Sequence, residues 1–251
     1  MGNNAEKEQI NTFPTESGVN MKIKRIILKL SGEYLSGTKG FGFDLSTIDQ
    51  LTDDIIDASN LGYQIGIVLG GGNFFRGSEL KEIDRAAADN IGMLATIQNA
   101  IVVSEILNKK GQQTKIYSAF PIDKIANYFT YSDADKALNN NKICFFSAGT
   151  GNPFFTTDTA AVLRAIELNC DFVFKGTKVD GIYTSDPKKN ETADFIPEIT
   201  YSEVLQKQLN IMDMTAFSLA RDYNLKIKVF NISVKGNIVN AILTDIGTIV
   251  Y

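Results

Sequence analysis

The chain has 251 residues, of which 44% are hydrophobic and 22% charged, and this composition suits one α/β domain with a sizeable core. The net charge of −4 argues against a broad nucleic-acid-binding face, and no apolar run approaches the roughly 18 residues of a membrane span. The chain contains no histidine, which excludes Ser-His-Asp triads, histidine metal ligation and histidine acid–base catalysis. Cys144 and Cys170 lie in apolar runs and are expected in the core of a cytoplasmic protein.

The polar residues 1–20 are expected to form a disordered extension, with Met21 as an alternative start and residues 21–251 as a single domain. Strands are predicted at Ile26–Leu30, Gln64–Leu69, Thr114–Ser118, Ile143–Ala148, Phe172–Lys175, Ile227–Asn231 and Thr248–Tyr251, with a small β element at Val179–Thr184. Helices are predicted at Leu45–Leu61, Ala86–Lys109, Ser132–Leu138, Thr159–Leu168, Ser202–Gln208 and Thr215–Tyr223. Asp44 is the expected N-cap of the first helix, and Gly62 and Gly111 end the first two helices. The alternation predicts an α/β fold, a three-layer α/β/α sandwich around a largely parallel open sheet.

The loop between Ile143–Ala148 and Thr159–Leu168 is the most informative segment. It holds two glycines, an Asn, a Pro and three threonines at the carboxyl end of a predicted strand, where open α/β sheets bind ligands. Glycines allow a close backbone approach, and a helix start offers unpaired N–H groups and a positive dipole end. These features predict a phosphate site. The simpler alternative is a decorated helix start with Thr157 as N-cap and Asp158 in the first turn.

Two further loops follow predicted strands. Lys29 in Lys-Leu-Ser-Gly-Glu ends the first strand, where an ammonium group can neutralise a transferring phosphoryl group, although a solvated strand end is the alternative. The run Gly70-Gly71-Gly72 leads to Arg76, whose guanidinium suits phosphate oxygens, with a flexible turn as the alternative. This run is not a Walker A loop, because Ser-Glu follows where Lys-Ser/Thr is required, and it is not a G-x-G-x-x-G motif.

The segment 175–187 leaves a strand and turns through glycines. Tyr183 in this segment is a candidate purine contact and Asp186 a candidate ribose ligand, with two ordinary β-turns as the alternative. Asp89 lies near the start of the long helix, where spacing alone favours a structural role in the first turn over a contact with a sugar hydroxyl.

Taken together, these segments resemble the bacterial UMP kinases of the amino acid kinase family, from about Lys22 to Tyr251. The segment Gly-Thr-Lys-Gly-Phe-Gly at 37–42, Arg221-Asp222 and Val229-Phe230-Asn231 add to the resemblance. It implies transfer of the ATP γ-phosphate to UMP in pyrimidine nucleotide (UTP/CTP) biosynthesis, by a homohexamer, with GTP and UTP as possible effectors. It further implies Mg²⁺ held mainly by the ATP phosphates, so no protein metal ligands are predicted. No nucleic acid or membrane partner is implied.

From the requirements of phosphoryl transfer we expect Lys29, Arg76 and Asp158 to be catalytic, the first two stabilising charge and Asp158 orienting Lys29 or a metal-bound water. The resemblance also assigns residues. The implied ATP site comprises Lys29, Leu30, Ser31, Gly32, Gly72, Arg76, Thr177, Tyr183 and Asp186. The implied UMP site comprises Gly71, Asp89, Thr150, Gly151, Asn152, Pro153, Phe154, Phe155, Thr156 and Thr157. The segment tied to effector response comprises Gly37, Thr38, Lys39, Gly40, Phe41 and Gly42.

Two departures and two alternatives remain open. Ala88-Asp89-Asn90 stands where relatives often have Gly-Asp-His, and Tyr34 stands where they have a nonpolar residue. One alternative is a kinase of the same fold that phosphorylates a carboxylate, such as acetylglutamate or aspartate, or a carbamate. The other is a non-catalytic protein that binds ATP and oxyanions. The effector response and the acceptance of dUMP or CMP are not fixed by the sequence.

Overall fold

A computed structural model describes residues 12–13, 21–22, 24–75, 82–185, 187, 189–190, 192–207, 209 and 211–251. The predicted site residues Arg76 and Asp186 lie outside the described residues, as does most of the extension 1–20. Within the extension, β1 (Thr12–Phe13) pairs antiparallel with β2 (Met21–Lys22).

A largely parallel sheet forms the centre of the described fold. The remaining strands are β3 (Arg25–Leu30), β4 (Gln64–Leu69), β5 (Thr114–Ser118), β6 (Asn127–Tyr128), β7 (Ile143–Ser147), β8 (Phe172–Thr177), β9 (Ile182–Tyr183), β10 (Phe195–Ile196), β11 (Glu198–Ile199), β12 (Lys226–Asn231) and β13 (Thr248–Val250). Nine of these form the main sheet in the order β11-β13-β12-β8-β3-β4-β7-β5-β6, and β9 and β10 pair separately. Each neighbouring pair is parallel except β12 and β13, so the predicted sheet is confirmed.

Helices cover both faces of the sheet, which confirms the three-layer sandwich. The helices are α1 (Gly32–Leu35), α2 (Leu45–Asn60), α3 (Arg85–Lys109), α4 (Tyr131–Asn139), α5 (Thr157–Glu167), α6 (Tyr201–Gln206), α7 (Met214–Asp222) and α8 (Asn237–Leu243). Because side chains alternate along a strand, Ile26 and Leu28 of β3 pack with α2, α3 and α8, whereas Ile27 packs with α4 to α7. This alternation assigns Lys29 to the same face as Ile27.

The helix ends agree with the predicted caps except at α5. The Asp44 carboxylate accepts from the Ser46 N–H at 3.0 Å, and Gly62 and Gly111 have φ of 90° and 89°. The predicted cap of α5 was wrong by one residue. Thr156, whose backbone is extended, is the N-cap and accepts from the Asp158 N–H at 3.1 Å, while Thr157 is already helical.

Helix α8 was not predicted because its local signals are weak. Its N-cap is Gly236 at φ 81°, with no side-chain capping bond. The helix is held instead by packing, since Ile238, Ala241 and Ile242 are buried with α2 in one core. Tertiary contact therefore specifies this helix more than its own sequence does.

Helix α3 is long and apolar enough to suit a membrane span by length and composition, a property found for one helix of the described chain. Half of its apolar window is buried inside the protein. Ala100, Val103 and Leu107 pack in the core with α2 and the sheet. This burial is typical of a core helix.

The amino ends of the central strands are fastened by Arg25. Its guanidinium donates to Gln64 Oε1 and to the Leu168 carbonyl, both at 2.7 Å, and forms an ion pair of 2.8 Å with Asp135. The Asp171 carboxylate accepts from the Arg25 N–H at 2.8 Å. These bonds tie β3, β4 and the segments around α4 and α5 together at the edge opposite the loops described next.

Candidate active site

Two pockets open at the carboxyl edge of the sheet. The glycine-loop pocket, of about 320 Å³, lies between the loop after β4, the start of α3 and the loop after β7. Its lining includes the predicted residues Gly71, Gly72, Asp89, Thr150, Asn152, Phe155, Thr156 and Thr157. The lining residues that were not predicted as site residues include Phe75, Arg85 and Met93. The structure thus brings together most of the residues predicted for one substrate.

The Tyr183 pocket, of about 570 Å³, lies at the carboxyl end of β8, beside β9 and the segment that follows α6. Thr177 and Tyr183 of the predicted ATP residues line it, together with Leu209, Ile211 and other residues of the segments around them. The Tyr183 ring packs edge-on against Phe195 at a centroid distance of 5.5 Å. An aromatic ring in a partly apolar pocket suits a planar base.

Lys29, Lys175 and Asp158 meet next to the two pockets, although none of the three lines either of them. Lys29 and Lys175 are register partners on β3 and β8. Each Nζ lies 2.6 Å from a different carboxylate oxygen of Asp158, in the first turn of α5. All three residues are buried. Two ammonium groups share one carboxylate, so the cluster has a net positive charge and suits an anionic ligand.

The ionisation of this cluster follows from burial and mutual charge. Burial raises the pKa of Asp158, but the ammonium groups of Lys29 and Lys175 outweigh it and hold the pKa below its usual range. Burial, and after it the charge of Lys29, lowers the pKa of Lys175 despite the Asp158 carboxylate. The carboxylate therefore stays ionised and keeps two positive charges in one place.

Lys175 is a candidate functional residue that the sequence did not single out. Its position at the carboxyl end of a strand is the same signal that identified Lys29. The Lys175 ammonium also donates to the carbonyl of Ile211, which lines the Tyr183 pocket. Asp158 directly follows Thr157, which lines the glycine-loop pocket. The cluster thus adjoins both pockets.

Glycines are required where the loops after β3 and β4 touch. A Cβ on Gly32 would lie 2.4 Å from the Gly70 carbonyl oxygen, and one on Gly71 would lie 2.8 Å from that of Gly92. The neighbouring predicted residues have structural contacts of their own. The Leu30 side chain is fully buried in the core, and Ser31 accepts from the Glu33 N–H at 3.3 Å as the cap of α1. Only backbone groups of Leu30 can face a ligand.

Asp89 does not lie in the first turn of α3, which begins at Arg85, so the favoured first-turn role was wrong. Its carboxylate accepts from the Phe154 N–H at 2.7 Å and from Arg85 Nε at 2.9 Å, and Asp89 also lines the glycine-loop pocket. Phe154 has φ of 72°, so this bond holds a strained turn of the loop. Gly151, Pro153 and Phe154 are not among the residues that line the pocket.

Asp213 is a second residue that the sequence did not predict for the site. It accepts hydrogen bonds from the hydroxyls of Thr156 and Thr159, the latter at 2.9 Å. It also caps α7 by accepting from the Ala216 N–H at 3.0 Å. Its only sequence signal was an acidic residue before a predicted helix, which is common. In the fold it ties the start of α5 to α7.

The segment 37–42 lies outside the lining of both pockets. It forms a 3-10 turn over Gly37–Lys39 and then contacts the loop after β4, where the Gly42 N–H donates to the Asn73 carbonyl at 2.9 Å. Phe43 and Phe41 pack edge-on against Phe74 at 5.0 and 5.7 Å. The segment therefore touches the glycine loop and not the pocket.

The profile of the amino acid kinase family matches residues 24–231, and the chain belongs to this family. The uridylate kinase of Escherichia coli strain K12 is 47% identical over 215 residues, which cover 85% of this chain and 89% of that protein.

Two solved structures have the same fold over nearly the whole chain. The UMP kinase of Bacillus anthracis superposes with a TM-score of 0.89 at 37% identity, covering 91% of this chain and 96% of that one. The UMP kinase of Ureaplasma parvum superposes with a TM-score of 0.86 at 38% identity, covering 92% and 99%.

Proposed function

We propose that this protein is a UMP kinase that transfers the γ-phosphate of ATP to UMP and releases ADP and UDP. The observation that carries the proposal is the Lys29–Asp158–Lys175 cluster beside two pockets. Most residues predicted for UMP line one pocket, and Thr177 and Tyr183 of those predicted for ATP line the other, while Gly72, also predicted for ATP, lines the first. The similarity to enzymes named uridylate kinase and UMP kinase supports the same reaction.

The glycine-loop pocket suits UMP. The Thr157 hydroxyl, in the first turn of α5, offers a donor to a phosphate at one end of it, whereas the Thr156 hydroxyl already donates to Asp213. At the other end, Asp89 offers carboxylate oxygens to sugar hydroxyls. The Tyr183 pocket suits the base and sugar of ATP, so the two phosphate groups would meet at the lysine cluster.

The chemistry that remains is positioning and charge neutralisation. The UMP phosphate is already a nucleophile, so in-line transfer needs no general base. A chain without histidine can therefore catalyse it with lysine and arginine side chains and backbone N–H groups. The ammonium groups of Lys29 and Lys175 would stabilise charge on the transferring group. Because each oxygen of Asp158 contacts a lysine, the geometry supports Asp158 as the residue that orients them, in preference to a metal-bound water. Arg76 is proposed as a further charge-stabilising residue.

The donor set at this edge suits a metal carried by the nucleotide. Across the described ranges no three acidic, cysteine or histidine residues converge to hold a metal ion, and Asp158 and Asp213 already bind lysines and hydroxyls. We propose that Mg²⁺ reaches the site on the ATP phosphates, where it would neutralise part of their charge.

We further propose a cytoplasmic homohexamer in pyrimidine nucleotide biosynthesis, responsive to GTP or UTP through segment 37–42. Support for assembly comes from α3, on which Ile91, Leu94 and Ile101 are exposed large apolar residues on a helix that otherwise packs in the core. Support for an effector role is the contact between segment 37–42 and the glycine loop.

The test is ADP release with ATP and Mg²⁺ in the presence of UMP, CMP, dUMP, AMP, acetylglutamate or aspartate. Turnover with UMP well above the others is the expected result. Turnover with a carboxylate acceptor would instead support a sister kinase of the same fold. Tight ATP binding without UMP-dependent ADP release would support the non-catalytic binding protein.

A further inference from the structure

Two buried asparagine side chains form hydrogen bonds to the glycine loop and to each other. Asn73 lies in the loop after β4 and Asn99 lies in the middle of α3, and they are 1% and 0% exposed. Asn73 Nδ2 donates to Asn99 Oδ1 at 2.9 Å, and Asn99 Nδ2 donates to Asn73 Oδ1 at 2.8 Å. The two side chains thus form a closed ring of two hydrogen bonds.

The second donor of each amide extends this ring to two loops. Asn99 Nδ2 donates to the carbonyl of Gly70, the first glycine of the loop, at 2.7 Å. Asn73 Nδ2 donates to the carbonyl of Gly42 at 3.0 Å, and the Asn73 carbonyl accepts from the Gly42 N–H at 2.9 Å. The pair therefore joins α3, the glycine loop and segment 37–42.

The donors of both amides are fully used, and this makes the arrangement specific. A buried polar pair is stable only while each donor keeps its partner, and a satisfied network of this kind holds one geometry. The glycine run itself has little side-chain packing to fix it. Apart from backbone bonds such as the one from the Gly70 N–H to the Leu30 carbonyl at 2.8 Å, its position depends on the bond from Asn99 to Gly70 and on the pairing of Asn73 with Gly42.

We infer that Asn73 and Asn99 are positioning residues for phosphoryl transfer, which fix the glycine loop and transmit the position of segment 37–42 to it. The inference rests on the proposed function, because Gly71 and Gly72 line the pocket assigned to UMP. Neither Asn73 nor Asn99 lines either pocket, so each would act on the reaction through the glycine loop. A displaced loop misaligns the transferring group and lowers kcat more than it changes substrate affinity.

The test uses two variants with matched controls in the full-length protein. Asn99→Asp keeps the side-chain shape but removes both donated bonds, and Gln98→Glu makes the same chemical change at the exposed neighbouring position of α3. Gly42→Ala strains a residue at φ 69° with open space around it, and Gly62→Ala does the same at φ 90° at the end of α2. Of these two glycines, Gly42 is the one that is hydrogen-bonded to Asn73.

The measurements are kcat and KM for UMP and ATP, and Tm. We expect kcat to fall about ten-fold in Asn99→Asp and Gly42→Ala, with KM changed less than about three-fold and both controls within about two-fold of wild type. The double variant Asn99→Asp/Gly42→Ala is expected to have a kcat no lower than that of the slower single variant. Each substitution alone already breaks the connection between segment 37–42 and the glycine loop.

Three outcomes would overturn the inference. One is a lower Tm with an unchanged kcat per folded molecule, which is the signature of a purely structural role. The second is a double variant whose kcat loss is the product of the two single losses. The third is a kcat of Gly42→Ala equal to that of Gly62→Ala. This comparison decides the inference alone if Asn99→Asp does not fold. An inactive wild-type protein would instead contradict the proposed function on which the inference rests.

Discussion

Lys29 and Lys175 stand side by side on β3 and β8, and both ammonium groups lie 2.6 Å from the carboxylate of Asp158. Two positive charges at neighbouring register positions would repel each other in a buried site. The shared carboxylate offsets this repulsion and leaves a net positive charge for a phosphate. The three residues should therefore act as one unit.

Removal of either lysine should abolish most of the turnover. We expect Lys29→Ala and Lys175→Ala to fold, to keep nucleotide binding within a few-fold, and to lose about 10²–10³ in kcat. The double variant should lose less than the product of the single losses, since the residues share one role. Lys109→Ala, at an exposed position of α3, is the control. Steady-state kinetics with circular dichroism checks this, and near wild-type turnover of Lys175→Ala would exclude it from the mechanism.

Asp158→Asn should change the pH dependence of kcat. The pKa of Lys175 already lies below its usual 10.5 because of burial and the neighbouring Lys29. The asparagine removes the stronger of the two attractive charges and leaves only the weaker one, Asp213, so the pKa of Lys175 falls further and its ammonium form is lost at lower pH. We expect a lower kcat whose alkaline limb is displaced to lower pH than in wild type. Rate profiles from neutral to alkaline pH measure this, and an unmoved alkaline limb would contradict it.

Much of the fold was predictable, because it depends on local patterns. The strands β3, β4 and β5 begin or end within one residue of their prediction, and the Asp44 cap is where a capping signal placed it. Helix α8 was not predictable, since only packing against α2 specifies it. Lys175 has the strand-end position that identified Lys29, and Asp213 has only a common capping signal, so neither pattern by itself showed which residues they contact. Their partners Lys29 and Thr156 are far away in sequence, and only the folded sheet and helices bring them together.

Asp89→Asn should weaken UMP binding selectively. The amide keeps an acceptor for the Phe154 N–H but loses the charge that pairs with Arg85 and that favours sugar hydroxyl donors. We expect KM for UMP to rise about ten-fold while KM for ATP stays within about two-fold. Arg85→Gln should have a smaller effect, since this ion pair is largely exposed. Equal changes in both KM values would argue that Asp89 supports the whole site and not the UMP pocket.

Lys228→Met should alter how stability depends on pH. Lys228 is fully buried, its ammonium donates to the Thr244 carbonyl at 2.6 Å, and burial lowers its pKa to about 8 although Asp245 opposes the shift. Between pH 8 and 10.5 the unfolded chain holds a proton that the folded chain has released, so this group makes wild type more stable as pH rises. Below pH 8 Lys228 is protonated in both states, so the free-energy cost of burying its charge destabilises the folded protein in full.

The expected result is a difference in unfolding free energy between wild type and Lys228→Met that shifts in favour of wild type by up to about 3 kcal/mol across this window. Urea unfolding at several pH values measures it, with Lys226→Met on the same strand as control. A difference that is independent of pH would show that Lys228 keeps its charge when buried.

The Arg25 cluster has a consequence for engineering the protein. It fastens the amino ends of the central strands to the segments around Asp135, Leu168 and Asp171, at the edge farthest from both pockets. Thermostabilising substitutions introduced around this cluster would reinforce the scaffold without touching the loops that must admit and release nucleotides. Stabilising substitutions often reduce turnover because they restrict the motion of the active site. Here the amino edge of the sheet can be stabilised while the loops at the carboxyl edge remain free to move.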